Sequence, residues 1–355
     1  MIEEWQADMQ RNLAETAEKA FLPGLYYALN EVEKPEEEWL EKQIMAFFPI
    51  SGYVAEKGVE TAEVEDSLTY EMLLRQQAKD DERLSEDLIT QETQTASVVP
   101  KDLSIEKLRD FNYLLSKLYT VDSTTTIGPQ QLDVDSLLAK DMHIDQNKAG
   151  PKVLIFHTHS QETFADSTSG DPSTSIVGIG KYLADRLNAL GIETIHHDGV
   201  YDLVDGKLDR SKAYELSEIG VREILNQNPS IEVVIDLHRD GVREDLHLVT
   251  DINGKTTAKI MFFNGLSRTK TNGDIAYLKN PYIQDNLSFS LQMQLASESM
   301  YPGLARRIYL KGYRYSLHMM PKSLLIEAGA QTNTVQEMKN AMDLLAEILN
   351  QVLVG

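Results

Sequence analysis

Three places along this chain put titratable side chains directly after short apolar runs. The run at 152–157 leads into Thr158, His159, Ser160, Gln161 and Glu162. The run at 231–237 contains Asp236 and leads into His238, Arg239 and Asp240. A third run, Leu324, Leu325 and Ile326, ends in Glu327 before Ala328 and Gly329. If these runs are strands of an α/β sheet, their carboxyl ends are where such sheets bind ligands. Two imidazoles with one carboxylate form the ligand set of a catalytic zinc that keeps a position open for water. A further carboxylate then serves as general base toward that water.

Within HTHSQE (157–162) the spacing leaves two histidines in play. Residues two apart on a strand share a face, so His157 and His159 can both point at one metal. His159 with Glu162 has His-x-x-Glu spacing, which brings an imidazole and a carboxylate together on the turn after the strand. His238 enters from a different strand end. On this reading His159, Glu162 and His238 hold the metal and Glu327 is the base. His157, closing the strand body, becomes an outer partner or a core residue. Glu327 follows a buried run, where partial desolvation raises a carboxyl pKa toward that of a working base. His197, Arg210, Arg239 and Asp240 are further candidates for lining the cleft or holding a substrate carboxylate. His143 and His318 read as bystanders.

These residues need a scaffold, and the pattern after residue 151 supplies one. Strand-like runs at 152–157, 192–196, 231–237, 308–310 and 322–327 alternate with helical periodicity at 173–190, 211–227, 285–300 and 334–353. Gly191 stops the first of these helices, and Thr334 with Glu337 has capping-box spacing at the last. Asn253-Gly254 marks a hairpin between 243–250 and 256–263. The segment 264–284, rich in Gly, Asn and Thr, is a candidate wall for a long substrate groove. The alternation predicts an α/β fold, a three-layer αβα sandwich around a mostly parallel sheet. Upstream, a helix is expected at 104–119 with Ser104 as its cap, and helices within 1–30 and 35–48. The expected organisation is an acidic, mainly helical region at 1–79, a linker at 80–102, a helix and connecting segment at 103–150, and a catalytic domain at 151–355.

The chain has 355 residues and a formal net charge of −22, and residues 1–100 hold 23 acidic against 8 basic side chains. That excess argues against a nucleic-acid partner, whose phosphates require Lys and Arg. There is no Cys, which excludes thiolate metal sites, disulfides and cysteine nucleophiles and suits an oxidising, extracytoplasmic setting. No run approaches the roughly 18 apolar residues of a membrane span. The opening MIEEWQADMQ has neither the basic flank nor the apolar run of a signal peptide, so the expectation is a cytoplasmic protein or a chain that starts after its export segment.

Four separated motifs carry a resemblance. FHTHSQETF (156–164), DLHRDGV (236–242), YPGLARRIYLKG (301–312) and LLIEAGAQTN (324–333) resemble the stage II sporulation protein P family in content and order. The resemblance covers about 101–355. More distantly, the domain is similar to zinc-dependent N-acetylmuramoyl-L-alanine amidases, whose pattern maps by motif onto His159, Glu162, His238 and Glu327. Glu162 departs from that pattern, because in the general amidases the ligand Glu lies farther beyond the first His. The resemblance implies a peptidoglycan hydrolase that cuts between N-acetylmuramic acid and L-alanine, with endopeptidase action on stem peptides, during engulfment of the forespore. It implies zinc as cofactor and stage II sporulation proteins D and M as partners. It also implies an extracytoplasmic, membrane-associated location in the septal space. Two other classes compete: a zinc metallopeptidase or carboxypeptidase acting on soluble peptides, and a non-catalytic cell-wall binding module.

Overall fold

The structure, a computed structural model, describes residues 70, 72–77 and 102–355. The helices expected within 1–30 and 35–48 and the linker at 80–100 lie outside the described residues. The described residues belong to one contact unit, 66–355.

The strands of the main sheet are β1 (Tyr119–Val121), β2 (Val153–Phe156) and β3 (Thr194–His196), then, past the small hairpin of β4 (Leu203–Val204) and β5 (Lys207–Leu208), β6 (Val233–Asp240). A second hairpin, β7 (Val249–Ile252) and β8 (Lys255–Ala258), precedes β9 (Ile260–Gly265). After the short pair β10 (Arg268–Thr269) and β11 (Gly273–Asp274) come β12 (Ile308–Lys311) and β13 (Ser323–Ala330). Seven strands form the sheet in the order β1-β12-β9-β13-β6-β2-β3.

Alternate side chains of these strands enter two different layers. Val153, Ile155, Val233, Ile235, Leu237, Phe262, Leu324 and Ile326 pack with the helices Ile176–Ala189, Ile283–Met300 and Val335–Leu353. On the other face, Leu154, Phe156 and Val234 meet Val221 of the helix Ala213–Gln227. Met261, Phe263, Tyr309 and Leu325 meet Tyr214, Tyr315 and Leu317. The fold is therefore the expected three-layer α/β sandwich, with the 313–320 loop completing the thinner layer. Phe262 is fully buried, and truncating a side chain of that kind to Ala typically costs about 3–5 kcal/mol.

Strand direction holds the main surprise. β13, β6, β2 and β3 run parallel, and β1, β12 and β9 run parallel to one another. The two sets meet antiparallel at β9 and β13. The sheet is mostly parallel as expected, but the carboxyl ends of its two halves lie at opposite edges. Met261 pairs with Glu327 and Phe263 with Leu325, so β9 leads away from Glu327. The 264–284 segment thus leaves the sheet at the edge remote from Glu327, which rules it out as the groove wall beside that residue.

Other differences are local. The run 256–263 is two strands: β8 closes the hairpin, with Asn253 at φ 56 and Gly254 at φ 76, and β9 joins the main sheet. The helix expected at 104–119 breaks into Ile105–Leu108 and Phe111–Leu118, because Asp110 takes up a cap position and accepts from Asn112 N and Tyr113 N. Ser104 makes no side-chain cap bond. Residues 119–121, not foreseen as a strand, pair with β12, so residues 103–150 share the sheet and core of the residues that follow. The capping box at Thr334 and Glu337 forms as its spacing predicts. Among the described residues, no helix is long and apolar enough to cross a membrane.

Candidate metal centre

The parallel half of the sheet brings the candidates together at its carboxyl edge. Val233, Ile235 and Leu237 of β6 enter the large core, so the alternating Asp236 and His238 face the thinner layer. Glu327 on β13 is the register partner of His238, and neighbouring strands lie about 4.8 Å apart. His159 comes from the turn after β2, and its ring meets the His238 ring edge-on at 5.0 Å between centroids. That turn is fixed by Asp202, which accepts from Ser160 Oγ at 2.7 Å and Gln161 N at 3.1 Å.

Glu162 lies between the two histidines. His159 Nδ1 is 3.7 Å from its Oε1, and His238 Nδ1 is 4.0 Å from its Oε2. One ligand atom from each of the three residues falls within 4.8 Å of the others, and all three residues are buried. Tetrahedral zinc bonds of about 2.0–2.1 Å place ligand atoms about 3.4 Å apart, so small side-chain rotations close this set on one ion. Two neutral imidazoles and a carboxylate are the donors such an ion prefers.

The electrostatics favour positive charge here. Burial alone disfavours a charged His238, but the Asp236 carboxylate, then Glu162 and Glu327, outweigh it and raise its pKa to about 10. Burial would likewise raise Glu162, yet hydrogen bonding from His159 and the charges of His238, His159 and Arg239 bring it down to about 2. In a cavity this anionic, a proton on His238 occupies the place of a metal charge. Asp236 is held ionised in the same way: burial opposes its charge, and His238 and Thr158 overcome that and lower its pKa.

The remaining sequence candidates sort by contact. Arg239 serves the cluster through its backbone N–H, which donates to Glu162 Oε2 at 2.8 Å, while its guanidinium reaches the Thr163 carbonyl. Arg210 Nη2 lies 3.5 Å from Glu162 Oε1. Asp240 pairs with the buried Arg306. His157 is turned away from the cluster: its Nδ1 donates to the Leu237 carbonyl at 2.7 Å, and its Nε2 lies 3.0 Å from His196 Nε2. Burial lowers its pKa to about 4, so it is neutral. His197 is half-buried against Tyr201, at 2.5 Å, and does not join the three-residue cluster. The roles of Asp236 and Asp202 were not read from the sequence, nor were the Ser316 hydroxyl that donates to Asp236 at 2.8 Å and the Tyr214 ring edge-on to His159 at 5.7 Å. For Asp236 the signal was present: Asp-x-His on a strand puts both side chains on one face.

The whole-chain comparison decides the family. A family model described as Stage II sporulation protein P matches residues 34–350. The chain belongs to this family. A curated relative, Stage II sporulation protein P of Bacillus subtilis (strain 168), is 24% identical over 215 residues, which is 56% of this chain and 50% of the relative. The match thus spans about half the length of that relative. Among solved structures, the chain is similar to the CwlD amidase from Clostridioides difficile in complex with the GerS lipoprotein (16% identity, 56% of this chain and 96% of that one, TM-score 0.35). It is also similar to the N-acetylmuramoyl-L-alanine amidase AmiC2 of Nostoc punctiforme (16%, 57% and 98%, 0.34). A third is the catalytic domain of the CD27L endolysin targeting Clostridia difficile (13%, 58% and 100%, 0.36). With scores this low, the fold assignment for this chain rests on its own strand order.

Proposed function

We propose that this member of the Stage II sporulation protein P family is a zinc-dependent peptidoglycan hydrolase that cuts the amide between N-acetylmuramic acid and L-alanine. The observation that carries the reading is the buried convergence of His159, Glu162 and His238, with Glu327 in register beside His238. His159, Glu162 and His238 are the residues that would hold the ion. When bound, zinc supplies a water of lowered pKa and polarises a carbonyl. Glu327 accepts the water proton and returns it to the departing nitrogen, the work of a single carboxyl that alternates as base and acid.

Family membership supports further parts of the reading: action on septal cell wall during engulfment, endopeptidase activity on stem peptides, membrane association, and stage II sporulation proteins D and M as partners. The test is a digest of purified peptidoglycan with zinc present. Newly freed L-alanine amino groups, abolished by chelation and restored by zinc, are expected. New ends confined to internal stem-peptide bonds would reassign the main activity to an endopeptidase. No new ends with a zinc-loaded chain would overturn the reading.

A further inference from the structure

The three ligand candidates and Glu327 do not account for every buried charge at the centre. Asp236 is 1% exposed, and an ionised carboxylate in such a place is retained only when its acceptor positions are filled. They are filled in a specific division. Oδ1 accepts from Thr158 N at 2.9 Å and makes a close ion-pair contact, 2.7 Å and off the hydrogen-bond line, with His238 Nε2. Oδ2 accepts from Thr158 Oγ1 at 2.7 Å and from Ser316 Oγ at 2.8 Å. Thr158 belongs to the turn carrying His159. Ser316 belongs to the loop of the thinner layer. One carboxylate thus joins the His159 turn, the His238 strand and the covering loop.

We propose that Asp236 is a positioning residue for the metal centre, holding the His238 proton on Nε2 so that Nδ1 presents its lone pair toward Glu162 and His159. This rests on the metal-site reading above. A carboxylate accepts and cannot donate, so the ring nitrogen facing it must carry the proton. The opposite nitrogen, Nδ1, is the one that faces the ligand cluster, 4.0 Å from Glu162. The contact also fixes ring orientation and increases the donor strength of the ligating nitrogen.

The bonding pattern yields a pair of variants that separates geometry from charge. In Asp236→Asn the amide oxygen can keep the Oδ1 contacts to His238 and Thr158 N. Its NH2 then faces Thr158 Oγ1 and Ser316 Oγ, both hydroxyls able to turn and accept. Asp236→Asn should therefore fold and keep the tautomer, while losing the charge. Asp236→Ala loses both.

The experiment measures zinc affinity of the full chain by competition with a chromophoric chelator, without substrate, alongside the visible spectrum of the cobalt(II) form. We expect wild type to bind about one ion and Asp236→Ala to bind it about ten- to a hundredfold more weakly, with a changed cobalt spectrum. Asp236→Asn should fall between them, with a cobalt spectrum close to wild type. If Asp236→Ala does not fold, Asp236→Asn and Ser316→Ala carry the test, and a wild-type affinity in both would overturn the proposal. Unchanged affinity with only a lowered melting temperature would show a purely structural role and also overturn it. A wild type that binds no metal would overturn the metal-site reading as well, which keeps the two failures apart.

Discussion

Both edges of the sheet carry a buried polar cluster at strand carboxyl ends, and the two are built differently. At the remote edge, Asp122 follows β1 and accepts from Thr124 N and Oγ1 at 2.8 and 2.6 Å and from Tyr309 Oη at 2.6 Å. Burial opposes its charge, but those bonds and the nearby Lys311 ammonium keep its pKa low. That cluster carries its own cation. At the other edge, Glu162, Asp236 and Glu327 surround two imidazoles; Arg210 approaches Glu162 at 3.5 Å, and the imidazoles can add positive charge by taking up a proton or a metal. The difference teaches which buried charges point to function: those grouped around side chains that can take up a proton or a metal.

The comparison can be broken most forcefully at Glu327. Glu327→Gln should keep the fold and the bound zinc while turnover on peptidoglycan falls roughly a hundredfold or more, the usual contribution of a general base. Metal analysis beside a digestion assay checks both halves, and loss of zinc would make Glu327 a ligand. Next in size are the histidines. His159→Ala and His238→Ala should each empty the site. His157→Ala should retain zinc but cost about 1–3 kcal/mol of stability, because the buried Leu237 carbonyl loses its donor. Zinc titration with denaturant unfolding separates these outcomes, and an empty site in His157→Ala would exchange the roles of the two residues.

At the remote edge, Asp122→Ala should lower stability by about 1–3 kcal/mol, the cost of stranding buried donors, and leave kcat/KM per folded molecule unchanged. A catalytic defect there would mean the two edges are coupled. The smallest effect concerns acid. Burial raises the Glu218 pKa, but hydrogen bonding and charge from His318, with Arg222 and Arg314, outweigh that and bring it to about 2 from 4.5. A depressed carboxyl pKa contributes stability that is complete above 4.5 and is lost as pH falls toward 2. Glu218→Gln should flatten that part of the stability–pH curve, measured by thermal unfolding between pH 5 and 3.

Much of this molecule could be read from residues alone, and the parts that could not share a cause. Apolar runs located the strands, Asn253-Gly254 located the hairpin, and Thr334 with Glu337 located the last helix, because each is a local signal. His159, Glu162 and His238 followed because strand ends in such folds converge. The direction of β9 was not legible because the run IMFFNG (260–265) reads the same either way along the sheet. The information lay in the connections. A parallel neighbour needs a crossover, usually helical, and the reversals on either side of the β9 and β12 pair occur where no helix intervenes. Only a hairpin separates β6 from β9, and only a loop separates β12 from β13. The break at Arg109-Asp110 was hidden by an unbroken apolar stripe, with Asp110 competing for the backbone from within it.

The position of β13 has a consequence for how the molecule comes into being. It is the middle strand in space, flanked by β9 and β6, yet the last of the described sheet strands in chain order. Until it arrives, the two halves of the sheet have no common neighbour, and closing them together means ordering a long stretch of chain before any contact compensates. Glu327 is carried on that same strand. A nascent or prematurely ended chain can therefore gather His159, Glu162 and His238 without the carboxylate opposite them. The carboxylate that the proposed reaction needs thus arrives with the strand that joins the two halves of the sheet.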